Sequence, residues 1–132
     1  MMNRKCQGSI LLVASMSGLV ANKGMNSAIY NSSKAVVIQL TRSIAIEWSE
    51  IESETGKRGI RVNCLCPGHI ETPMVKMVVD GDPEVKEIWQ SENMMKRLAR
   101  PEFRGVTRLL MSDASSFMTG STVVVDGGHT AW

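Results

Sequence analysis

SMSGLVANKGMNSAIYNSSK, Ser15 to Lys34, is the stretch whose reading decides the fold. It follows SILLVA, residues 9–14, an apolar run long enough for a strand buried on both faces. Tyr30 and Lys34 stand four residues apart where the pattern reads as the first turns of a helix, so both side chains leave one face about a turn apart. A phenol ionises near ~10 when unperturbed, and a cation beside it stabilises the phenolate. The pair therefore reads as a general acid. Ser15 and Ser17 lie just past the apolar run, where a hydroxyl at a strand's carboxyl end can face the tyrosine and donate to a substrate oxygen. By itself Tyr-x-x-x-Lys is a short pattern that exposed helix positions often satisfy without chemistry.

The rest of the chain extends the alternation of strand and helix. Gly8 precedes a strand of about Ser9 to Ala14, and residues 1–7 are polar. The loop to Ser27 holds Gly18, Asn22, Gly24 and Asn26, which are turn residues, so an ordered site loop and a plain surface loop both fit. A helix is predicted from about Ala28 to Ser49, with Ser27 as N-cap and Val37, Leu40, Ile44 and Trp48 as its buried stripe. After a charged connector, residues 50–59, comes a strand of about Ile60 to Leu65, stopped by Cys66-Pro67-Gly68. From Glu71 to about Arg97 the pattern is helical but broken at Gly81–Pro83, with a methionine-rich apolar side of the kind that most often is core. Pro101 is predicted at the first position of the last helix, whose buried side is Phe103, Val106, Leu109 and Leu110. A final strand of about Thr122 to Val125 runs into Asp126-Gly127-Gly128.

At 132 residues, with 43% hydrophobic and 21% charged residues, the chain has the size and composition of one globular domain. The net charge of +2 is spread along the chain and gives no argument for nucleic acid or an anionic membrane. No apolar stretch approaches the roughly 20 residues of a membrane helix. The basic start before SILLVA is a poor secretory signal, because the apolar run is short and continues into the Ser15 motif. Cys6, Cys64 and Cys66 cannot all pair within one chain, and reduced thiols in a cytoplasmic protein are expected. Cys64 and Cys66 are expected on opposite strand faces. His69 and His129 stand far from any ligand-spaced cluster, so no metal site is expected.

In this order, the apolar strand, SMSG, YNSSK, the long helix, GIRVNCLCPGHIETPM and SDASSFMTGSTVVVDGG resemble the carboxyl-terminal half of a short-chain dehydrogenase/reductase. The ending FMTGS with GGHTAW is similar to fungal-type mannitol, arabinitol and sorbose reductases. The resemblance covers nearly the whole chain. It implies an α/β fold: residues 1–132 would form part of a Rossmann-like, doubly wound parallel sheet, with about three strands. It also implies an NAD(P)-dependent oxidoreductase that moves hydride between nicotinamide, as NADP or NAD, and a small carbonyl or alcohol compound of polyol or ketose type. By resemblance the catalytic residues are Ser15, Tyr30 and Lys34, with Ser17 the alternative serine at the commoner spacing. Tyr30, Lys34, Pro67, Gly68, Ile70 and Thr72 would contact the cofactor, Ile70 by backbone groups at the carboxamide and Thr72 by its hydroxyl.

The family's glycine-rich turn, its selector after the second strand, its Asn-Asn-Ala-Gly stretch and its proton-relay asparagine have no counterpart in these residues. Activity of this chain alone is therefore expected to be impaired or absent. The alternative is a non-catalytic truncated subunit that joins full-length relatives through the helix at residues 28–49, where the family also forms homo-oligomers.

Overall fold

The computed structural model describes residues 7–23, 25–50 and 59–132. The three apolar runs pair in parallel as β1 (Gly8–Val13), β2 (Ile60–Pro67) and β3 (Thr122–Val125), in the order β1-β2-β3. Parallel neighbours need long crossovers, and helices supply them. α1 (Ala28–Trp48) joins β1 to β2, while α2 (Pro73–Gly81), α3 (Pro83–Ser91) and α4 (Phe103–Met111) lie between β2 and β3. The parallel α/β arrangement is the expected one.

β2 is central and the most buried strand, with Val62, Cys64 and Cys66 at 0% exposure. Its two faces meet different helices. Even-numbered positions Ile10, Leu12, Ile60 and Val62 pack with Ile44, Ala45 and Trp48 of α1. Odd-numbered Ser9 and Arg61 turn to the other face, where both donate to the carbonyl of Leu110 on α4. Helices thus cover both faces of the sheet.

Several sequence readings need correction. Cys64 and Cys66 share a face, because strand residues two apart point the same way. Both pack with Ala14 and Ile38, and both are free buried thiols; Cys6 lies outside the described residues. The buried row of α1 is Ile38, Thr41 and Ala45, flanked by Val37, Ile44 and Trp48, and Leu40 is 47% exposed. Two positions from Ile38 is a rotation of about 200°, which turns Leu40 away from the sheet. Pro101 lies in the turn before α4, whose buried residue is Leu110, while Leu109 is exposed.

β2 runs through Pro67 rather than stopping at Leu65. Cys64 and Gly68 donate toward β3, so by alternation the Pro67 nitrogen faces the β1 side, beyond the point where β1 has ended. The missing N–H leaves no ladder bond unmade. The predicted break near Gly81 is present: Asp82 caps α3, its Oδ1 accepting from Glu84 N at 3.2 Å, and Pro83 sits at the helix start. Most of the charged connector lies outside the described residues. No described helix is long and apolar enough to cross a membrane.

Candidate active site

The register sets Val13 beside Leu65, so the segments leaving β1 and β2 depart from the same edge of the sheet. In open parallel sheets this carboxyl edge is where ligands bind. Ser15 leaves β1 in extended conformation and caps a short 3-10 turn, Met16–Gly18, its Oγ accepting from Ser17 N at 3.1 Å. That bond uses a lone pair and leaves the Ser15 hydroxyl hydrogen free to donate. Ser17 is also buried, and its Oγ accepts from Asn22 Nδ2 at 2.9 Å.

Gly18 seats this turn on α1. A Cβ on it would lie 2.7 Å from the carbonyl carbon of Lys34 and 2.8 Å from the nitrogen of Ala35, so only glycine allows the approach. Asn31, next to Tyr30, donates from Nδ2 to Val20 O at 3.4 Å and ties the loop to the helix a second time. Tyr30 is 50% exposed. Lys34 Nζ stands 5.5 Å from the Tyr30 ring centroid and donates to Val13 O at 3.5 Å, which holds the ammonium between the end of β1 and the phenol. The predicted neighbours are neighbours in space. An open groove of about 890 Å³ lies beside Tyr30, lined by Asn22, Met25, Tyr30 and Asn31 among others, and among the described residues no charged side chain lines it.

Cys66 lies beneath this site. Burial pushes its thiol up to about 12, with adjacent Cys64 adding to the effect and the Ser15 backbone and Lys34 opposing it. A thiol in that state is a packing group and a poor nucleophile.

Pro67 is the last residue of β2, paired with Val125, and Gly68 follows it out of the strand rather than forming the expected turn with it. A Cβ on Gly68 would lie 2.7 Å from Asp126 Cα, so its residue type follows from packing against the β3 end. Ile70 forms an isolated parallel bridge with Ala99, in which Ala99 N donates to His69 O and Glu71 N donates to Ala99 O, both at 2.9 Å. In such a bridge the N–H and C=O of Ile70 itself point away from Ala99. Among the described residues they have no hydrogen-bond partner. Thr72 caps α2, with Oγ1 accepting from Val75 N at 3.2 Å, and its hydroxyl hydrogen remains free as a donor.

Sequence reasoning missed His69. Its ring stacks on Trp89 at 4.4 Å with planes 11° apart, and His129 meets its edge at 6.0 Å. Burial, with His129 adding to it, lowers His69 to about 4 and keeps the imidazole neutral. No local signal announces a contact between residues so far apart in sequence. Asp126 is held below the usual carboxylate range: burial would raise it, but hydrogen bonds from Thr130 and from the Gly128 N–H outweigh that. Among the described residues no cluster of three or more His, Cys, Asp or Glu side chains could hold a metal ion.

The profile of the family described as enoyl-(acyl carrier protein) reductase matches residues 1–130. The chain belongs to the short-chain dehydrogenase/reductase family. A D-arabinitol 2-dehydrogenase (ribulose-forming) from Scheffersomyces stipitis is 48% identical over 96% of this chain, which spans 44% of that protein. The crystal structure of gox2181 superposes with a TM-score of 0.87 at 41% identity, over all of this chain and 48% of the other. A gluconate 5-dehydrogenase from Burkholderia cenocepacia, solved with NADP and tartrate, gives a TM-score of 0.83 at 29% identity, over 99% of this chain and 48% of that one. The chain thus spans less than half the length of these short-chain dehydrogenase/reductase relatives. Its sheet is the carboxyl-terminal half of their Rossmann-like fold.

Proposed function

We propose that this chain carries the proton-transfer and nicotinamide-contacting half of an NAD(P)-dependent oxidoreductase acting on a small uncharged carbonyl or alcohol compound of polyol or ketose type. The observation that carries the reading is Lys34, anchored on Val13 O and aimed at the Tyr30 ring beside the serine turn. In reduction the Tyr30 hydroxyl gives its proton to the substrate carbonyl oxygen, and in oxidation the phenolate takes it back. Ser15, with its hydrogen free, donates to that same oxygen. Lys34 stabilises the phenolate and donates to the nicotinamide ribose. The outward-facing N–H and C=O of Ile70 hold the carboxamide, the Thr72 hydroxyl adds a donor beside it, and Pro67 and Gly68 lead the chain from β2 to them. Bound NAD or NADP supplies the hydride chemistry.

Two observations support the substrate class. Among the described residues the groove beside Tyr30 is lined without charge, and the arabinitol dehydrogenase relative is named for a neutral polyol. These 132 residues contain no glycine-rich pyrophosphate turn, so we place the activity of this chain by itself well below that of a full-length relative. The test is titration of the purified chain with nicotinamide dinucleotides, followed by turnover of ketoses with the reduced form and of polyols with the oxidised form. Tyr30→Phe is expected to cut turnover by about 100-fold or more while sparing binding. Equal turnover in Tyr30→Phe would overturn the role given to the phenol.

A second reading rests on the outer face of α1, where Ile29, Val36, Leu40 and Ile46 are all exposed. This face suits association with another copy or with a longer relative, and the chain would then serve as a non-catalytic subunit. Co-purification with such a relative, lost on Val36→Glu and Leu40→Glu, is the expected result, and recovery of the chain alone would sink this reading.

A further inference from the structure

His69, Trp89 and His129 come from three separate elements. His69 follows β2, Trp89 lies on α3 and is buried, and His129 follows β3. The chemistry proposed above uses none of them. Yet the His69 ring stacks on Trp89 and makes a T-shaped pair with His129 while its carbonyl accepts from Ala99 N, so both its side chain and its backbone are tied down. Ile70 is the next residue.

We propose that the His69–Trp89 stack is a positioning latch that fastens the Gly68–Thr72 segment, with the outward-facing backbone groups of Ile70, to α3. Its functional weight rests on the reading of Ile70 as a carboxamide contact, but the latch itself does not.

The charged and titratable groups around His69 are few. A cleft of about 250 Å³ beside it is lined by Arg97, Glu102 and Asp126 among others, and His129 faces the ring edge. Arg97 pairs with Glu102 at 2.7 Å, and the Asp126 carboxylate accepts from Gly128 and Thr130 within its own loop. α3 presents Trp89. Asp126 is an anion, but its charge acts on His129 and does not offset the burial of His69, and His129 adds to the cost of charging the ring. Protonation therefore opens the latch, and the segment after β2 comes loose from α3.

Backbone amide hydrogen exchange on the full chain without cofactor tests this, with rates corrected for the intrinsic pH dependence of exchange. Between pH 7 and pH 4, protection at residues 69–72 is expected to fall about tenfold or more and to reach the level of an open segment, while β2 amides at 62–65 lose only what the fall in global stability takes and stay protected. Trp89→Leu is expected to produce the same selective loss at pH 7, and Trp89→Phe to restore it. Unchanged protection at 69–72, in the pH series or in a folded Trp89→Leu chain, would overturn the latch. Should Trp89→Leu also lose β2 protection, the pH series decides alone. Cofactor titration is scored separately: a selective loss of protection in Trp89→Leu that leaves nicotinamide dinucleotide affinity equal to that of the parent chain keeps the latch and defeats the Ile70 reading.

Discussion

Gly18 does its work by having no side chain. The serine turn rests directly on the Lys34 backbone, and a methyl group there has nowhere to go. Gly18→Ala is expected to push the turn off α1, lowering the melting temperature by several degrees for about 1–3 kcal/mol of strain. The same variant is expected to reduce turnover more than cofactor binding. His69 gives a pH dependence of definite sign. Its folded value lies below the unfolded one, so the unfolded chain binds the proton first as pH falls through about 6.5. Stability is whole above that pH and is lost progressively toward pH 4, by on the order of 3 kcal/mol. Denaturant melts at pH 7 and pH 4.5 measure this, and His69→Phe is expected to flatten the difference. The Asp126 contribution runs in a lower window, present above its ordinary carboxyl value and lost below it. Cys66 is expected to resist alkylation at pH 8 in the folded chain and to react readily in denaturant, since burial keeps it a thiol. At this scale the sequence exposes what is local. Tyr30 and Lys34 were legible because four residues on a helix make neighbours by geometry alone. Gly18 and His69 were not, because their reasons are tertiary: one is a backbone 16 positions away, the other a ring on a different helix.

Helices and strands depend on buried polar ties that residue type alone does not announce. Arg61 on β2 donates from Nη1 to Leu110 O, Ser115 Oγ and Met118 O, and from Nη2 to Ser112 O. One guanidinium thereby closes the end of α4 onto the sheet. Arg61→Lys keeps the charge and loses the planar fork, with an expected cost of about 1–3 kcal/mol in a denaturant melt. A melt equal to that of the parent chain would show these bonds to be dispensable. Asn63, fully buried beside it, donates to Met118 O and accepts from Ser121 N, which pins the approach to β3. The elements were readable where hydrophobic runs or prolines mark them: β3 appears at its predicted span, and the break before Pro83 is where expected. The buried row of α1 was misread because its apolar residues surround the helix, leaving period alone unable to say which row meets the sheet.

At the scale of the whole molecule, the described residues leave apolar surface uncovered. β1 pairs on one side only, Val13 is 54% exposed, and the outer face of α1 is apolar. Such surfaces bind partners or one another. Sedimentation of the purified chain is expected to show concentration-dependent association, reduced by Val36→Glu and Leu40→Glu. An ideal monomer at all concentrations would contradict this.

The central place of β2 also fixes a folding order. The bond from Ser121 to Asn63 spans 58 residues, and that from Ser9 to Leu110 spans 101, so the sheet is built from contacts of high contact order. α1 needs only its own neighbours and can form early, whereas the sheet must wait for two long loop closures. Its appearance is then the slow step, on a timescale of milliseconds to seconds. Until that step is complete, the apolar faces of β2 remain open to other chains.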